Sequence, residues 1–460
     1  MLFDIEDRLF NDFLKNESEI KEWTSIRATA LRSLAEVSQY AKGSVSNESL
    51  KTSINWQMIP ATIFSIISIF KFIFFSQKNY EFIFFSDVKN FLNPNDSSFL
   101  FKDIDKSNKK SKILIISTFI EKTPNQGKID YLNIFVIRYF YYSFRVLARL
   151  RSLFKKHSIF IKLLAVLKDF NFKKFDHNKL NEKIINVNYQ ANFLNYFFLK
   201  VLRLDLIRLK KFILEDGFMS KNSVIVNSLN QKGIMTVEYQ HGAIYSGHEA
   251  YNTHPNLVSL VKKQQMTPGI LWSFGEGWIN FSNLCESDSI LGVPWHDVIK
   301  KKFKQHNLSS RILLISDGID TQEYIRLTKR LSEELKLRPE KNLNYLNVNL
   351  RLHPSENYKD KIHNIPYSKI EDIWDDLSRS DIIIACVSTC LYQASFVKKQ
   401  PIIWLNGRSK YAYNGNYPFS KAENFSELLE LVVKFYSLNS IQKKKNIDYF
   451  KPYKLDKLLN

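Results

Sequence analysis

The chain has 460 residues, of which 45% are apolar and 24% are charged, and its formal net charge is +20. This length predicts about two or three domains of roughly 150 residues each, and the composition excludes a disordered or fibrous chain. A protein with this net positive charge is expected to bind nucleic acid, an anionic membrane or anionic small molecules. Because the sequence has no helix-turn-helix, zinc-finger or RNP-like pattern, we do not expect a nucleic-acid partner.

The first 120 residues combine helical patterns with two apolar strands. Spaced apolar residues over 1–50 predict one or two amphipathic helices, and strands are predicted over 82–86 and 112–117. The apolar segment 58–75 contains Lys71 and falls just short of the about 20 residues that a membrane span requires. We interpret it as a buried or interfacial helix, and the alternative is a true span.

Residues 130–175 alternate aromatic and aliphatic residues with a run of basic ones. This pattern is typical of basic amphipathic helices that bind an anionic membrane surface. The alternative is an ordinary helical layer with a solvated basic face. The basic residues are Arg138, Arg145, Arg149, Arg151, Lys155, Lys156, Lys162, Lys168, Lys173 and Lys174.

Two blocks of alternating strand and helix patterns follow, separated by a basic linker over 300–310. In the first block we predict a helix over 193–214 and strands over 223–228, 235–239, 269–275 and 289–294. In the second block we predict strands over 311–318, 346–350, 381–385 and 401–405, with helices over 322–337, 369–377, 391–398 and 426–438.

Strands that alternate with helices predict parallel sheets. The fold class is therefore α/β, with two facing Rossmann-like domains, a cleft between them and extra N-terminal helices. We expect domains over 1–300, with a basic helical insertion over 130–215, and over 308–440, followed by a poorly ordered basic tail over 441–460. Neither half contains a G-x-G-x-x-G fingerprint.

Three polar clusters follow predicted strands, and the first is Gln240-His241-Gly242. Ligands bind at the carboxyl ends of strands in open α/β sheets. A neutral imidazole there is suited to accept a proton from an acceptor hydroxyl as general base, and Gly242 allows close approach of a ligand. The alternative is a histidine that is satisfied within the fold. Together with His248 and His254, His241 fits no zinc spacing, so we predict no metal.

The second cluster is Arg351, His353 and Pro354. The planar guanidinium of Arg351 matches a phosphate or carboxylate. His353 is suited to donate to a phosphate oxygen, and Pro354 fixes the turn. The alternative is a surface arginine beside a buried histidine.

The third cluster, Ser388-Thr389, precedes a predicted helix, where hydroxyls and free backbone N–H groups form an anion site. A plain N-cap is the alternative, and both roles are compatible. We count Glu238 and Asp317 with His241 as candidate catalytic residues. Glu276, like Asp317, follows a strand end and is a second-rank donor-site candidate.

These residues resemble motifs of bacterial GT-B glycosyltransferases of surface polysaccharide synthesis over about 220–410. His353-Pro354 and Ser388-Thr389 look like the His-Pro and Ser motifs of sialyl-, polysialyl- and Kdo-transferases, which bind the CMP of the donor. Gln240-His241-Gly242 is similar to the motif of CDP-glycerol glycerophosphotransferases, in which the histidine is catalytic.

The resemblance implies metal-independent transfer of a sugar, with a CMP-sugar favoured, to a capsule, lipopolysaccharide or lipid-linked acceptor. It needs no cofactor. The alternatives are a nucleotide-sugar epimerase, a CDP-glycerol-type phosphotransferase and a non-catalytic polysaccharide-assembly protein. The N-terminus is not a secretory signal, and the three cysteines form no paired framework. We therefore expect a cytoplasmic protein peripheral to the inner membrane.

Overall fold

A computed structural model gives the fold. It describes residues 2–40, 58–75, 80–86, 113–118, 129–170, 176–204, 208–218, 221–240, 242–279, 281–284, 287–303, 309–318, 321–338, 343–353, 356, 365–370, 372–438 and 449–454. His241 and Pro354 lie outside these residues, as does the predicted turn at 93–96.

The N-terminal half forms a seven-stranded parallel sheet in the order β3-β2-β1-β4-β5-β6-β7. Its strands are runs of apolar residues because a parallel sheet is covered on both faces. The order reverses between β1 and β4, as in a Rossmann sheet. The strands are β1 Phe82–Ser86, β2 Ile113–Ser117, β3 Ile129–Asn133, β4 Lys211–Leu214, β5 Met235–Tyr239, β6 Ile270–Ser273 and β7 Ser287–Ile290.

The C-terminal half forms a five-stranded parallel sheet in the order β12-β11-β10-β8-β9. Here the order reverses between β8 and β10, the second common arrangement of doubly wound folds. The predicted α/β class with two Rossmann-like units is confirmed. The strands are β8 Arg311–Ile315, β9 Asn347–Arg351, β10 Ile382–Ala385, β11 Gln400–Trp404 and β12 Ser420–Ala422.

Fifteen α-helices cover the two sheets within the described residues. They are α1 Leu2–Asp12, α2 Glu17–Tyr40, α3 Met58–Phe75, α4 Ile137–Phe154, α5 Ser158–Leu167, α6 His177–Tyr196, α7 Ser223–Asn230, α8 Pro255–Lys263, α9 Glu276–Ile279, α10 His296–Lys302, α11 Thr321–Lys336, α12 Ile373–Ser378, α13 Thr389–Phe396, α14 Gly407–Tyr413 and α15 Phe425–Leu438.

The two N-terminal helices are held by a buried ion pair. Glu6 of α1 and Arg27 of α2 are both fully buried and contact each other. Arg27 also donates to the backbone carbonyl of Asn252 at 2.7 Å, and Thr253 donates to Glu6 at 2.6 Å. The predicted amphipathic helices are therefore confirmed, and they hold the long loop that follows β5.

Helix α3 matches the predicted segment 58–75. It lies beside β3, where the Ser65 hydroxyl donates to the Asn133 carbonyl at 3.1 Å. Within the described part of the chain, no helix is both long and apolar enough to cross a membrane.

Two sequence predictions in the N-terminal half are wrong. Residues 223–228 form the start of helix α7 rather than a strand. Their β-branched residues favour a strand locally, but tertiary packing overrides this weak propensity. The helix predicted over 193–214 ends much earlier, with a π-helical turn at Phe197–Val201. Residues Lys211–Leu214 are instead a buried strand that pairs with β1 and β5.

An aromatic cluster joins the two halves. Trp278 packs against Tyr392 with ring centroids 4.2 Å apart, and its indole donates to the Tyr449 carbonyl at 2.6 Å. Phe450 stacks beside Phe274. The chain thus returns from the C-terminal half to the first sheet, and the expectation of a poorly ordered tail is wrong for residues 449–454, because two of their aromatic rings are buried.

Candidate active site

The site is built from loops at the carboxyl ends of strands in both sheets. Doubly wound folds bind ligands where the strand order reverses. These points lie between β1 and β4 in the first sheet and between β8 and β10 in the second. Ser86 and Glu215 meet at the first point, at 2.8 Å. Asp317 and Ser388 follow the two strands of the second.

The loop after β5 is fixed by Gln240, whose side chain is fully buried. Its amide nitrogen donates to the Gly242 carbonyl at 2.8 Å, and its amide oxygen accepts from the Phe274 N–H at 2.8 Å. A Cβ added at Gly242 would meet no atom of the described residues within 4 Å. The Gln240 side chain therefore ties Gly242 to the end of β6.

The Gln-His-Gly loop meets the Ser-Thr motif. The Thr389 hydroxyl accepts a hydrogen bond from the Ala243 N–H at 3.2 Å. Ser388 is the N-cap of α13, with its hydroxyl accepting from the Cys390 N–H at 3.2 Å. The plain capping role is thus present at Ser388, and Thr389 makes the contact between halves.

A second contact of the same loop lies further along the chain. The Gly247 N–H donates to the Ala412 carbonyl at 2.7 Å. A Cβ at Gly247 would lie 2.1 Å from the Tyr411 carbonyl oxygen, so only glycine permits this approach. The Tyr245 ring contacts Tyr413, with centroids 6.3 Å apart.

The two later histidines have different surroundings. The His248 Nδ1 accepts from the Ala250 N–H at 3.2 Å, and its ring packs between Tyr245 and Tyr251. His254 is the N-cap of α8. Among the described residues, no three His, Cys, Asp or Glu side chains are grouped to hold a metal ion.

Glu238 is fully buried at the end of β5. Its carboxyl group accepts from the Phe218 N–H at 2.9 Å and also from the Gly217 N–H and the Tyr251 hydroxyl. Burial raises the pKa of Glu238 to about 8, although the Tyr251 hydrogen bond opposes this shift. The carboxyl group thus connects the loops after β4 and β5. A residue with a purely structural role would make the same hydrogen bonds.

A charged pair links α2 to the loop after β5. The Arg32 Nε lies 2.6 Å from the Glu249 carboxylate, and Glu249 is almost fully buried. Burial alone would raise the pKa of Glu249, but Arg32 and His248 hold it below its ordinary value. Asp216, after β4, adds its negative charge to the fields at Arg32 and Glu238. The charges of Asp216 and Glu249 therefore both act on Arg32.

Asp317 forms an ion pair with Arg408, the second residue of α14, at 2.8 Å. The Asp317 side chain is only 2% exposed, whereas Arg408 is 25% exposed. Asp317 thus places a guanidinium beside the reversal point of the second sheet. Arg408 is therefore a cation near the strand ends of β8 and β10 that the sequence analysis did not predict.

Arg351 faces inward. Its guanidinium lies 2.7 Å from the buried Asp376 carboxylate and donates to the Ile370 carbonyl at 2.7 Å. Arg311 contacts the same carboxylate at 2.6 Å. The Arg351 charge also lowers the pKa of the Cys390 thiol, against the larger raising effect of burial. The Arg351 charge therefore acts on the first turn of α13, while its guanidinium is paired with the buried Asp376.

His353 is exposed at the end of β9. Its backbone N–H is held by Glu356, and Glu356 accepts from the Ser316 hydroxyl at 2.9 Å. Glu356 therefore ties the loops after β8 and β9 together. Glu276 is 66% exposed and lies 3.7 Å from the Lys451 amine, at the end of β6 beside the C-terminal segment.

Sequence reasoning did not identify Arg408, Glu249 or Glu356. Arg408 is the second residue of the helix after β11, two positions after the Asn406 N-cap, so a strand end followed by a capping residue was the available signal. Glu249 and Glu356 lie inside loops, where no periodic pattern marks a buried carboxylate. Only their contacts in the folded chain show them, with Arg32 for Glu249 and with Ser316 for Glu356.

Two Rossmann-like halves whose strand-end loops meet, as at Ala243 and Thr389, form the GT-B arrangement. No protein-family model matches the chain, and no curated protein matches its sequence. Solved structures similar to it include the wall teichoic acid polymerase TagF, at 9% identity and TM-score 0.40, with 84% of this chain and 91% of that chain covered.

Two other similar structures bind nucleotide sugars. UDP-GlcNAc 2-epimerase from Neisseria meningitidis bound to UDP-GlcNAc has 14% identity and TM-score 0.40, covering 78% of this chain and 92% of that one. Trehalose-6-phosphate from E. coli bound with UDP-2-fluoro glucose has 11% identity and TM-score 0.37, covering 78% and 96%. These likenesses are weak, and the fold assignment stands on the two parallel sheets and their strand orders.

Proposed function

We propose that this protein transfers a sugar from a nucleotide-activated donor to an acceptor in the cleft between its two sheets. The hydrogen bond from the Ala243 N–H to the Thr389 hydroxyl carries the proposal. It joins the loop that follows His241 to the first turn of α13. A proton acceptor on one half and a phosphate site on the other would then face the same space.

The donor phosphates would lie at the reversal point between β8 and β10. His353 is exposed and suited to donate to a phosphate oxygen, and Thr389 begins α13, whose N-terminal end favours an anion. Arg408, paired with Asp317, supplies a further cation. Because Arg351 is bonded to Asp376, we assign it a positioning role beneath α13 rather than a direct donor contact.

The remaining sequence candidates have supporting roles in this proposal. Pro354 would fix the turn that presents His353. Gly242 would leave room for the donor, since a Cβ there would meet none of the described residues within 4 Å. Glu276 would lie at the rim of the cleft. A CMP-sugar is favoured because His353-Pro354 and Ser388-Thr389 resemble CMP-binding motifs.

In the reaction, His241 would accept the proton of an acceptor hydroxyl. The oxygen attacks the anomeric carbon, and the bond to the nucleotide phosphate breaks with its electron pair on the phosphate oxygen. His353 and the start of α13 would neutralise that charge, so that electrostatic stabilisation needs no metal. The acceptor would be a surface polysaccharide or a lipid-linked glycan, in keeping with the net charge of +20.

Nucleotide binding tests the donor site. We expect one of CMP, CDP, UDP, GDP and dTDP to raise the melting temperature of the purified protein, because a ligand that binds only the folded state stabilises it. The shift should shrink in His353→Ala and persist in Tyr345→Ala, an exposed residue remote from the site. If no nucleotide shifts the melting temperature, the donor site is wrong and a non-catalytic assembly role takes its place.

A nucleotide-sugar epimerase is the second candidate, because Glu238 is a carboxyl group at the end of β5 and Asp216, after β4, is close enough to act on its pKa. Such carboxylates suit proton removal and return on a sugar. The two functions separate when the protein is incubated with a nucleotide sugar alone. Exchange of a sugar C–H hydrogen with D₂O indicates epimerisation, whereas release of nucleotide that depends on an added glycan indicates transfer.

A further inference from the structure

Helix α3 turns an apolar face to solvent. Its residues Ser65 and Phe72 are buried on the side that meets β3. On the opposite side six large apolar residues are exposed, with Phe74 at 68%. Their spacing of three and four residues places most of them along one stripe. They are Ile63, Phe64, Ile66, Ile67, Phe70 and Phe74.

Helix α4 has the same inverted pattern. Only Ile137 and Ala148 are buried, and its inner side packs on α6 through ring contacts of Phe140 and Phe144 with Phe193. The outward apolar residues are Tyr142, Val146, Leu147, Leu150, Leu153 and Phe154, and they range from 48% to 88% exposed. An ordinary surface helix would carry polar residues at these positions.

Basic residues border the apolar face of α4. The helix contains Arg138, Arg145, Arg149 and Arg151 and no acidic residue. At about 100° per residue, Arg145 and Arg149 lie along one edge of the apolar stripe and Arg151 lies near the other. An apolar stripe between arginines matches the interface of an anionic bilayer, in which acyl chains lie beneath phosphate groups.

The end of α4 continues this basic surface. Arg151, Lys155, Lys156 and His157 line a cavity of about 180 Å³. Glu22 also lines it and lies 3.1 Å from the His157 imidazole. The next helix, α5, is different, since Ile159, Phe160 and Leu163 are in the core. Within the basic region 130–175, the outward apolar face therefore belongs to α4.

We propose that α3 and α4 form a membrane-docking surface that binds an anionic lipid bilayer, with both helices lying in the plane of the interface. Contiguous exposed apolar residues rimmed by polar ones mark interaction sites. The arginines select the occupant, because an acidic lipid surface complements them whereas a neutral apolar protein groove does not. The inference stands apart from the reaction proposed for the cleft, since binding to lipid requires no turnover.

Vesicle co-sedimentation of the full-length protein tests the surface. We expect binding to vesicles of phosphatidylcholine with phosphatidylglycerol to exceed binding to phosphatidylcholine alone, and to weaken with added salt. Replacing both Arg145 and Arg149 by Gln should weaken binding by roughly five-fold for each arginine. The double variant Leu150→Asp, Leu153→Asp should abolish it, as should Phe70→Asp in α3.

Leu337→Asp is the matched control, because Leu337 is 74% exposed at the end of α11, away from this surface. Circular dichroism and an unchanged melting temperature verify that each variant is folded. The proposal is overturned if the wild-type protein does not bind anionic vesicles. It is also overturned if Leu337→Asp reduces vesicle binding as much as the α4 variants do. The proposal is also overturned if the wild-type protein forms oligomers but does not bind vesicles, and the α4 substitutions dissociate those oligomers. That result would identify the surface as a protein interface.

Discussion

The Thr389 hydroxyl lies 3.2 Å from the Ala243 amide nitrogen and accepts its hydrogen bond. Ala243 follows β5 of the first sheet, and Thr389 begins the helix after β10 of the second. The contact therefore sets the distance between a strand-end loop of one half and the start of α13 in the other. Its removal should alter the cleft without altering either sheet.

Replacing Thr389 with Val removes the acceptor while keeping the side-chain shape. We expect a two- to ten-fold loss of kcat/KM for sugar transfer, the range that one hydrogen bond of about 0.5–1.5 kcal/mol implies. Thr389→Ser keeps the hydroxyl and should retain near-normal kcat/KM. Equal kcat/KM for the Val variant and the wild type would show that the contact does not position the loop.

The buried carboxyl of Glu238 predicts a pH dependence of stability. Its pKa is raised to about 8 from an ordinary value of 4.5. Between these values the folded protein holds a proton that the unfolded chain has released. Stability therefore falls as pH rises through this range, by up to about 1.4 kcal/mol per pH unit from this group.

The variant Glu238→Gln isolates that contribution, because an amide does not titrate. Urea unfolding of both proteins from pH 5 to pH 8 should show the wild type losing stability relative to the variant as pH rises. A constant difference over this range would mean that Glu238 keeps the same charge in the folded and unfolded states, contrary to the expected shift.

Much of the fold could be predicted from the sequence, because buried parallel strands are short apolar runs between helical patterns. Strands β1, β2, β5 and β8 to β11 lie within or close to the predicted runs. The errors lie where local preference and packing disagree. Val224 to Val226 have strand propensity but form a helix, and the strand Lys211–Leu214 continued an apolar pattern that resembled a helix.

The candidate site was only partly predictable for a different reason. A predicted strand end followed by Ser388-Thr389 or His353 can be recognised from the sequence alone. The partner of Thr389 lies 146 residues before it, and the partner of Asp317 lies 91 residues after it. No spacing rule predicts such pairs, because the first depends on how the two sheets are set against each other and the second on how the end of β8 meets helix α14.

The buried pair of Glu6 and Arg27 should be essential for stability. Arg27→Ala would leave the Glu6 carboxylate uncompensated in the core, which costs about 3–5 kcal/mol. Arg8→Ala is the control, because Arg8 contacts Asp12 and Asp169 at the surface with 48% of its side chain exposed. Chemical denaturation should show a large loss for Arg27→Ala and about 1 kcal/mol or less for the control.

This pair also holds the loop after β5, since Arg27 donates to the Asn252 carbonyl at 2.7 Å. If the loop is held independently of α2, Arg27→Ala will lower stability but leave nucleotide binding and kcat/KM for transfer unchanged at temperatures where the variant is folded. We expect kcat/KM to fall as well, because the same loop begins at Gly242 and carries Ala243.

The returning C-terminal segment should stabilise the joint between the halves. The Phe450 ring packs against Trp295 with centroids 4.9 Å apart and also contacts Phe274 and Phe396. Phe450→Ala removes a buried aromatic ring that is 4% exposed, and large-to-small substitutions of this kind cost about 3–5 kcal/mol.

Tyr345→Ala is the aromatic control, because Tyr345 is 52% exposed and should change stability by about 0.5 kcal/mol or less. Thermal unfolding should show a lowered melting temperature for Phe450→Ala but not for Tyr345→Ala. Because Trp295 belongs to the first half and Phe396 to the second, the loss should appear in the unfolding of both. A variant that melts like the wild type would show that the segment lies on the surface without joining the two sheets.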